Sequence, residues 1–209
     1  RGAPGYDAAM ARRTRLELLA ADAADCKACD LWRLGTQTVF GEGPASAEVL
    51  LVGEQPGDQE DLAGEPFVGP AGRLLDDAME AAGLARERTY VTNAVKHFKW
   101  KPRGKRRIHD KPNRTEVVAC HRWLAAELDV VDPTVVVALG ATAGQSLFGP
   151  SFRVGVSRGK VLDLDGRAVI ATIHPSAVLR SRSSDDRAEA FGGLVSDLER
   201  AVQALRGAA

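Results

Sequence analysis

Between Gly104 and Arg114 the chain reads GKRRIHDKPNR, a single histidine set among cations. From Lys96 to Arg114, nine Lys or Arg residues stand against Asp110 alone, a formal +8 in a protein of zero net charge. The remainder carries the balancing −8. Charge segregated in this way produces a local field that attracts polyanions even though the whole molecule is neutral. A solvated, flexible loop has the same composition, and the feature that sets this one apart is His109. A second reactive cluster lies in GEQPGDQEDLAGEPFVGPAG, where Glu54, Asp58, Glu60, Asp61 and Glu65 occur without one basic residue. A positioned carboxylate there can orient a water or stabilise a developing cation, as in glycoside chemistry, and the plain alternative is an acidic surface loop. The glycines fit neither G-x-G-x-x-G nor the P-loop pattern, which removes support for nucleotide binding.

Cys26-x-x-Cys29 is a half-site for zinc or an iron–sulfur cluster, with Cys120 as a third thiolate and His97 or His121 as a fourth ligand. Buried thiols without metal are the competing use. Three cysteines, an odd number, argue against a secreted disulfide framework. His174-Pro175 closes an apolar run, a position where a histidine is commonly a hydrogen-bonded structural residue.

The elements that must position these groups follow from periodicity. At 209 residues and 44% hydrophobic composition, one domain with a substantial core is expected over residues 1–209. No apolar stretch approaches the roughly 18 residues of a membrane span, so a cytoplasmic protein with no membrane association, acting as a monomer, is expected. Helical patterns cover Asp7 to Ala24, Ala71 to Gly83, TEVVACHRWLAAELD, ATAGQSLFG and a last helix around Arg187 to Leu205. β-type runs are EVLLVGE, TYVTNAV, PTVVVALG, Lys160 to Leu164 and Ala168 to Ile173. The segment carrying the positive charge reads as a loop. This alternation predicts an α/β fold, a three-layer α/β/α sandwich with a central mostly parallel sheet. In such sheets ligands bind beyond the carboxyl ends of the strands. That rule brings the acidic loop, Asn93, the basic segment and His174 to one rim.

VFGEG, LVGEQPGDQEDLAGEPFVGPAGRLL, VTNAVK, NRTEVVAC and HPSAVLR, in this order from Cys26 to Arg180, resemble the uracil-DNA glycosylase superfamily, in particular its iron–sulfur family four. The resemblance implies the glycosylase sandwich and, as substrate, uracil flipped out of DNA, single strands included. Carried over, Phe67 stacks on the uracil and Asn93 reads its edge with donor and acceptor. Glu54 and Gln55 wrap the base, with Gly53, Asp58 and Asp61 among the substrate contacts. His174 faces the oxygen that gains negative charge as the base leaves.

Two departures from family four carry further expectations. His97 stands where that family has its third cluster cysteine, which implies a 4Fe-4S cluster on Cys26, Cys29, His97 and Cys120. The inserted KPRGKRRIHD resembles the X-type branch, whose members stay covalently bound to DNA after removing uracil; the attacking residue is then His109. Lys105, Arg106, Arg107 and Arg180 are expected on phosphates. A turnover glycosylase in which His109 touches only phosphate, and a non-catalytic, metal-stabilised protein recognising uracil or abasic DNA, remain the alternatives.

Overall fold

The protein is described by a computed structural model over residues 4–208. Five apolar runs form one sheet: β1 (Val49–Gly53), β2 (Thr89–Asn93), β5 (Val135–Leu139), β6 (Val161–Leu164) and β7 (Arg167–Thr172). Their order is β2-β1-β5-β7-β6. All neighbours are parallel except β6, which runs antiparallel to β7 at the edge. β1, β2 and β5 are buried along their whole length. Near-continuous Val and Leu is the composition that a parallel strand covered on both faces requires.

Alternation along β1 divides the core. Val49 and Leu51 face α3 (Pro70–Ala81), α7 (Pro175–Leu179) and α8 (Ser184–Gly207), with Leu75, Val178, Leu194 and Leu198 packed against them. Leu50 and Val52 face the other way, toward Leu16 of α1 (Pro4–Ala24), Leu124 and Leu128 of α4 (Arg114–Val131) and Ala143 of α5 (Ala141–Phe148). The result is the three-layer α/β/α arrangement, with helix boundaries a few residues from those the sequence suggests. Among the described residues, no helix is long and apolar enough to cross a membrane.

The two segments expected as loops, the acidic and the basic one, are ordered. α2 (Asp58–Ala63) lies inside the acidic stretch, and α6 (Val154–Ser157) follows α5. More consequential for the site, the basic segment is a two-stranded antiparallel hairpin of β3 (Trp100–Arg103) and β4 (Arg106–His109). Gly104 has φ +59° at the first of its two turn positions, the backbone a type II′ turn needs there and one that glycine adopts without steric cost. The strand period of two then puts Arg107 and His109 on one face of the hairpin, with Arg106 and Ile108 on the other.

Candidate active site

The sheet order reverses about β1, whose successor in the chain, β2, lies on one side and β5 on the other. A crevice is expected at the carboxyl ends of these strands. A cavity of about 710 Å³ opens there, lined among others by Glu54, Gln55, Glu60, Phe67, Asn93, His109, His174 and Arg180. Residues from four separate stretches of sequence thus share one wall.

Glu54 directly follows β1. Its Oε1 lies 3.2 Å from His109 Nε2, and its other carboxylate oxygen accepts from the Thr142 hydroxyl. Burial by itself raises the carboxyl's proton affinity, but hydrogen bonds from His109 and Thr142, with the His174 ring nearby, outweigh it. The net direction is below the usual carboxylate range. Glu54 is therefore an anion at neutral pH, held from two sides and facing the cavity.

Phe67 adopts φ +59°, a left-handed conformation in which a bulky residue is strained, at a cost on the order of 1–3 kcal/mol. Two glycines leave room for it. A Cβ on Gly72 would collide with the Phe67 backbone, and one on Gly53 would meet the Asn93 amide and lie 2.7 Å from Phe67 Cζ. Gly53 thus acts by having no side chain between these two. Asn93, at the end of β2, is buried to 2% exposure. Phe67 stacks toward His174, with ring centroids 6.3 Å apart and planes at 26°.

His174 caps α7: its Nδ1 accepts from the Ser176 backbone N–H at 3.2 Å. An N–H can only donate, so the ring proton of neutral His174 sits on Nε2. Burial pushes its pKa down to about 4; Glu54 opposes this, while Arg180 and His109 add to it. His174 is consequently a neutral donor at physiological pH. Arg180 is exposed beside it and donates to Ser176 Oγ at 2.9 Å.

Two other carboxylates of the acidic stretch, Asp58 and Asp61, serve the hairpin. Arg107 Nε lies 2.6 Å from Asp58 Oδ1, and Nη1 lies 2.6 Å from Asp61 Oδ2. Asp61 is fully buried and also accepts from the Thr36 amide and hydroxyl at 2.8 and 2.7 Å. The Arg107 guanidinium lies over the Phe98 and Trp100 rings. Asp58 and Asp61, expected as substrate contacts, stand outside the cavity wall, and Arg107, expected on DNA phosphate, faces inward. Gln55 does line the cavity, but its side-chain amide donates to the Lys99 and Asp110 carbonyls at 3.0 and 3.1 Å and accepts from the Lys99 N–H at 3.2 Å. It clasps both ends of the hairpin, so its side chain positions that element. Lys105 and Arg106 are exposed near the tip.

The cysteines meet beside α4, which carries Cys120. Cys120 is buried with Ala23, Leu31, Val95 and Trp123, and Cys26 and Cys29 pack against that cluster. Burial pushes the Cys120 thiol up to about 11 despite nearby Lys96. Burial likewise raises Cys29, but for Cys26 it is outweighed by N–H donors from Ala28, Trp123 and Arg122, which lower it. The Lys96 amide donates to Cys120 Sγ at 3.2 Å. The adjacent His97 is buried near Asp61 and Gly35. Among the described residues, no three Cys, His, Asp or Glu groups converge as they must around a single metal ion. Ligands of a multi-iron cluster stand farther apart than that. Three sulfurs in an apolar patch, supplied with N–H donors, fit such a group in donor chemistry.

Thr142 and Glu127 were not singled out in the sequence, nor was the structural use of Glu60 and Lys96. Glu60 accepts from the Gly57 and Gly69 amides at 3.0 and 2.7 Å, closing the loop around the cavity. Thr142 orients Glu54. Lys96 and Glu127 form a buried ion pair at 2.5 Å, joined by Thr92, and Lys96 Nζ also donates to the Asn93 carbonyl at 2.9 Å. A lysine within the apolar VTNAVK was the available signal for this pair, since a buried charge demands a partner.

The profile of the Uracil DNA glycosylase superfamily matches residues 40–199. The type-4 uracil-DNA glycosylase of Thermotoga maritima is 39% identical, over 84% of this chain and 89% of that protein. That of Archaeoglobus fulgidus is 41% identical, over 74% and 78%. A type-5 uracil-DNA glycosylase of Pyrobaculum aerophilum is 28% identical, over 69% and 68%. With its sheet, its cavity and a match covering most of its length, this chain belongs to the uracil-DNA glycosylase superfamily.

Proposed function

We propose that the protein removes uracil from DNA and then becomes attached, through His109, to C1′ of the sugar that has lost its base. The observation that carries this reading is the 3.2 Å contact between His109 Nε2 and Glu54 Oε1 in the wall of the cavity. Uracil would enter a cavity wide enough for a base, stacked on Phe67 and read by the Asn93 amide. Glycosidic cleavage sends the C1′–N1 bonding pair to the base. The uracil anion then accepts a hydrogen bond from neutral His174, and the cationic sugar is offset by Glu54.

A water normally fills the electron gap at C1′. An imidazole fixed beside the carbon competes at a large effective molarity. The lone pair of one ring nitrogen forms the new bond, the proton on the other passes to solvent, and the uracil anion takes a proton in turn. Lys105, Arg106 and Arg180, exposed around the site, suit phosphate contacts on a single strand. Cys26, Cys29, Cys120 and His97 are the residues to hold a 4Fe-4S cluster, whose chemistry here is structural, tying the N-terminal segment to α4.

The test runs parent and His109→Ser proteins on a uracil-containing single strand in boiled denaturing gels. The parent should give a slow protein–DNA band, and the variant alkali-sensitive abasic DNA without that band. A parent that yields only free abasic product is a turnover glycosylase, and one that yields neither is a binding protein. A variant that crosslinks like the parent has another nucleophile.

A further inference from the structure

We infer that the cleft between α4 and α5 is a second nucleotide subsite, which takes the base adjacent to uracil in the same DNA strand. This rests on the uracil reading of the main cavity. The cleft is a separate cavity of about 460 Å³, ample for one base. One wall comes from α4, where Val117, Val118 and His121 fall at the three- and four-residue spacings that share a helix face. The other comes from α5, where Thr142, Gln145 and Ser146 do the same. Val118 leaves 64% of its surface in water, so the apolar part of the cleft has no protein cover. His121 supplies an aromatic ring, and stacking on such rings is how unpaired bases are held.

Continuity with the uracil site identifies the occupant. Lys111 lines both cavities. Thr142, in the wall of the cleft, gives its hydroxyl to the Glu54 carboxylate in the wall of the main cavity. A strand with one nucleotide in the first cavity therefore has its neighbour at the mouth of the second. Charge agrees: the lining contains Lys111 and Arg114 and no carboxylate. Lys99 and Lys101 of the same segment are paired with Glu116 and Asp110, whereas Lys111 and Arg114 are exposed and have no ion-pair partner among the described residues. The start of α4 is already closed by the reciprocal hydrogen bonds of Asn113 and Glu116, which leaves the cleft suited to a base beside a phosphate rather than to an anion at a helix end. A base entering it must leave its stack, so single strands fit best.

The experiment measures free uracil released below saturation, a readout independent of whether the DNA ends crosslinked. Substrates are uracil-containing single strands in which one flanking nucleotide at a time, on either side, is replaced by a tetrahydrofuran residue lacking a base. For the parent, one flanking position should slow release about ten-fold, as loss of one stacked base does. His121→Ala and Val118→Glu, both exposed, should lower release from the complete strand by a similar factor and become insensitive to the missing base. A parent indifferent to every flanking base, or variants that keep its sensitivity, overturns the subsite while leaving uracil release in place. A parent that releases no uracil overturns the reading of the main cavity and the subsite with it.

Discussion

Glu54 and His109, 55 residues apart in the chain, meet at 3.2 Å between Oε1 and Nε2. The contact joins the end of a central strand to the end of the hairpin, and Thr142 holds the carboxylate from its other side. Its position fits two tasks, offsetting charge on the sugar and aiming the imidazole. Glu54→Gln keeps the size of the side chain and removes its charge. Uracil release should fall by roughly 100-fold with the fold intact by circular dichroism. Release near the parental rate would show that the carboxylate only positions His109.

The three sulfurs beside Trp123 make a second prediction. Purified protein should contain iron and acid-labile sulfide in equal amounts and absorb in the visible through its thiolate ligation. Cys120→Ala, which removes the buried thiol that accepts from the Lys96 amide, should lose iron, colour and thermal stability together. Stoichiometric zinc in colourless protein contradicts the cluster.

The sheet was readable in the sequence because β1, β2 and β5 are short apolar runs closed by glycine or asparagine, and their order placed the rim correctly. The hairpin was not. Lys101, Pro102, Arg103, Arg106 and Arg107 offer no apolar alternation, and the strands are held by contacts that no local pattern records: Arg107 to α2, Gln55 across both ends, and Trp100 Nε1 to the Leu34 carbonyl at 2.8 Å. Both charge clusters were visible separately. That Asp58 and Asp61 answer Arg107 was not, since the partners lie 49 and 46 residues apart. Likewise Glu127 looks like any helical glutamate until Lys96 is found buried against it.

His174 gives a pH signature. In the unfolded chain a histidine titrates near 6.5, at roughly its reference value; in the fold, burial takes this one to about 4. Its neutral form therefore contributes stability above the unfolded value, and that contribution is lost as pH falls toward the folded value, because the unfolded chain takes up the proton first. From pH 7 to pH 5 the loss is about 2 kcal/mol. Denaturant unfolding at both pH values should show a drop in stability smaller by about that amount in His174→Asn than in the parent. His97, also lowered by burial, contributes equally to both proteins and cancels. Equal drops would mean that the ring is not held neutral by the fold.

On the proposed reaction, a change at Arg107 should separate excision from capture. Its side chain reaches the cavity only through His109, two residues along the same face of β4, and it is anchored by Asp58, Asp61 and Thr36. Removing the guanidinium leaves Asp61 buried without its cation, so Arg107→Gln should lower the melting temperature; losing one partner of a buried pair costs about 3–5 kcal/mol, an upper bound here because Arg107 is part-exposed. The proposed uracil pocket of Phe67, Asn93 and His174 lines a cavity whose wall includes none of these groups. In the folded variant, base release should stay within a few-fold of the parent, while the imidazole, less firmly aimed at C1′, loses ground to water. The products on one uracil-containing strand should shift from mostly adduct toward mostly abasic DNA, as measured below the variant's melting temperature. Unchanged partition would mean that the hairpin needs no anchor to present His109. Release and capture falling in parallel would place Arg107 in base excision itself.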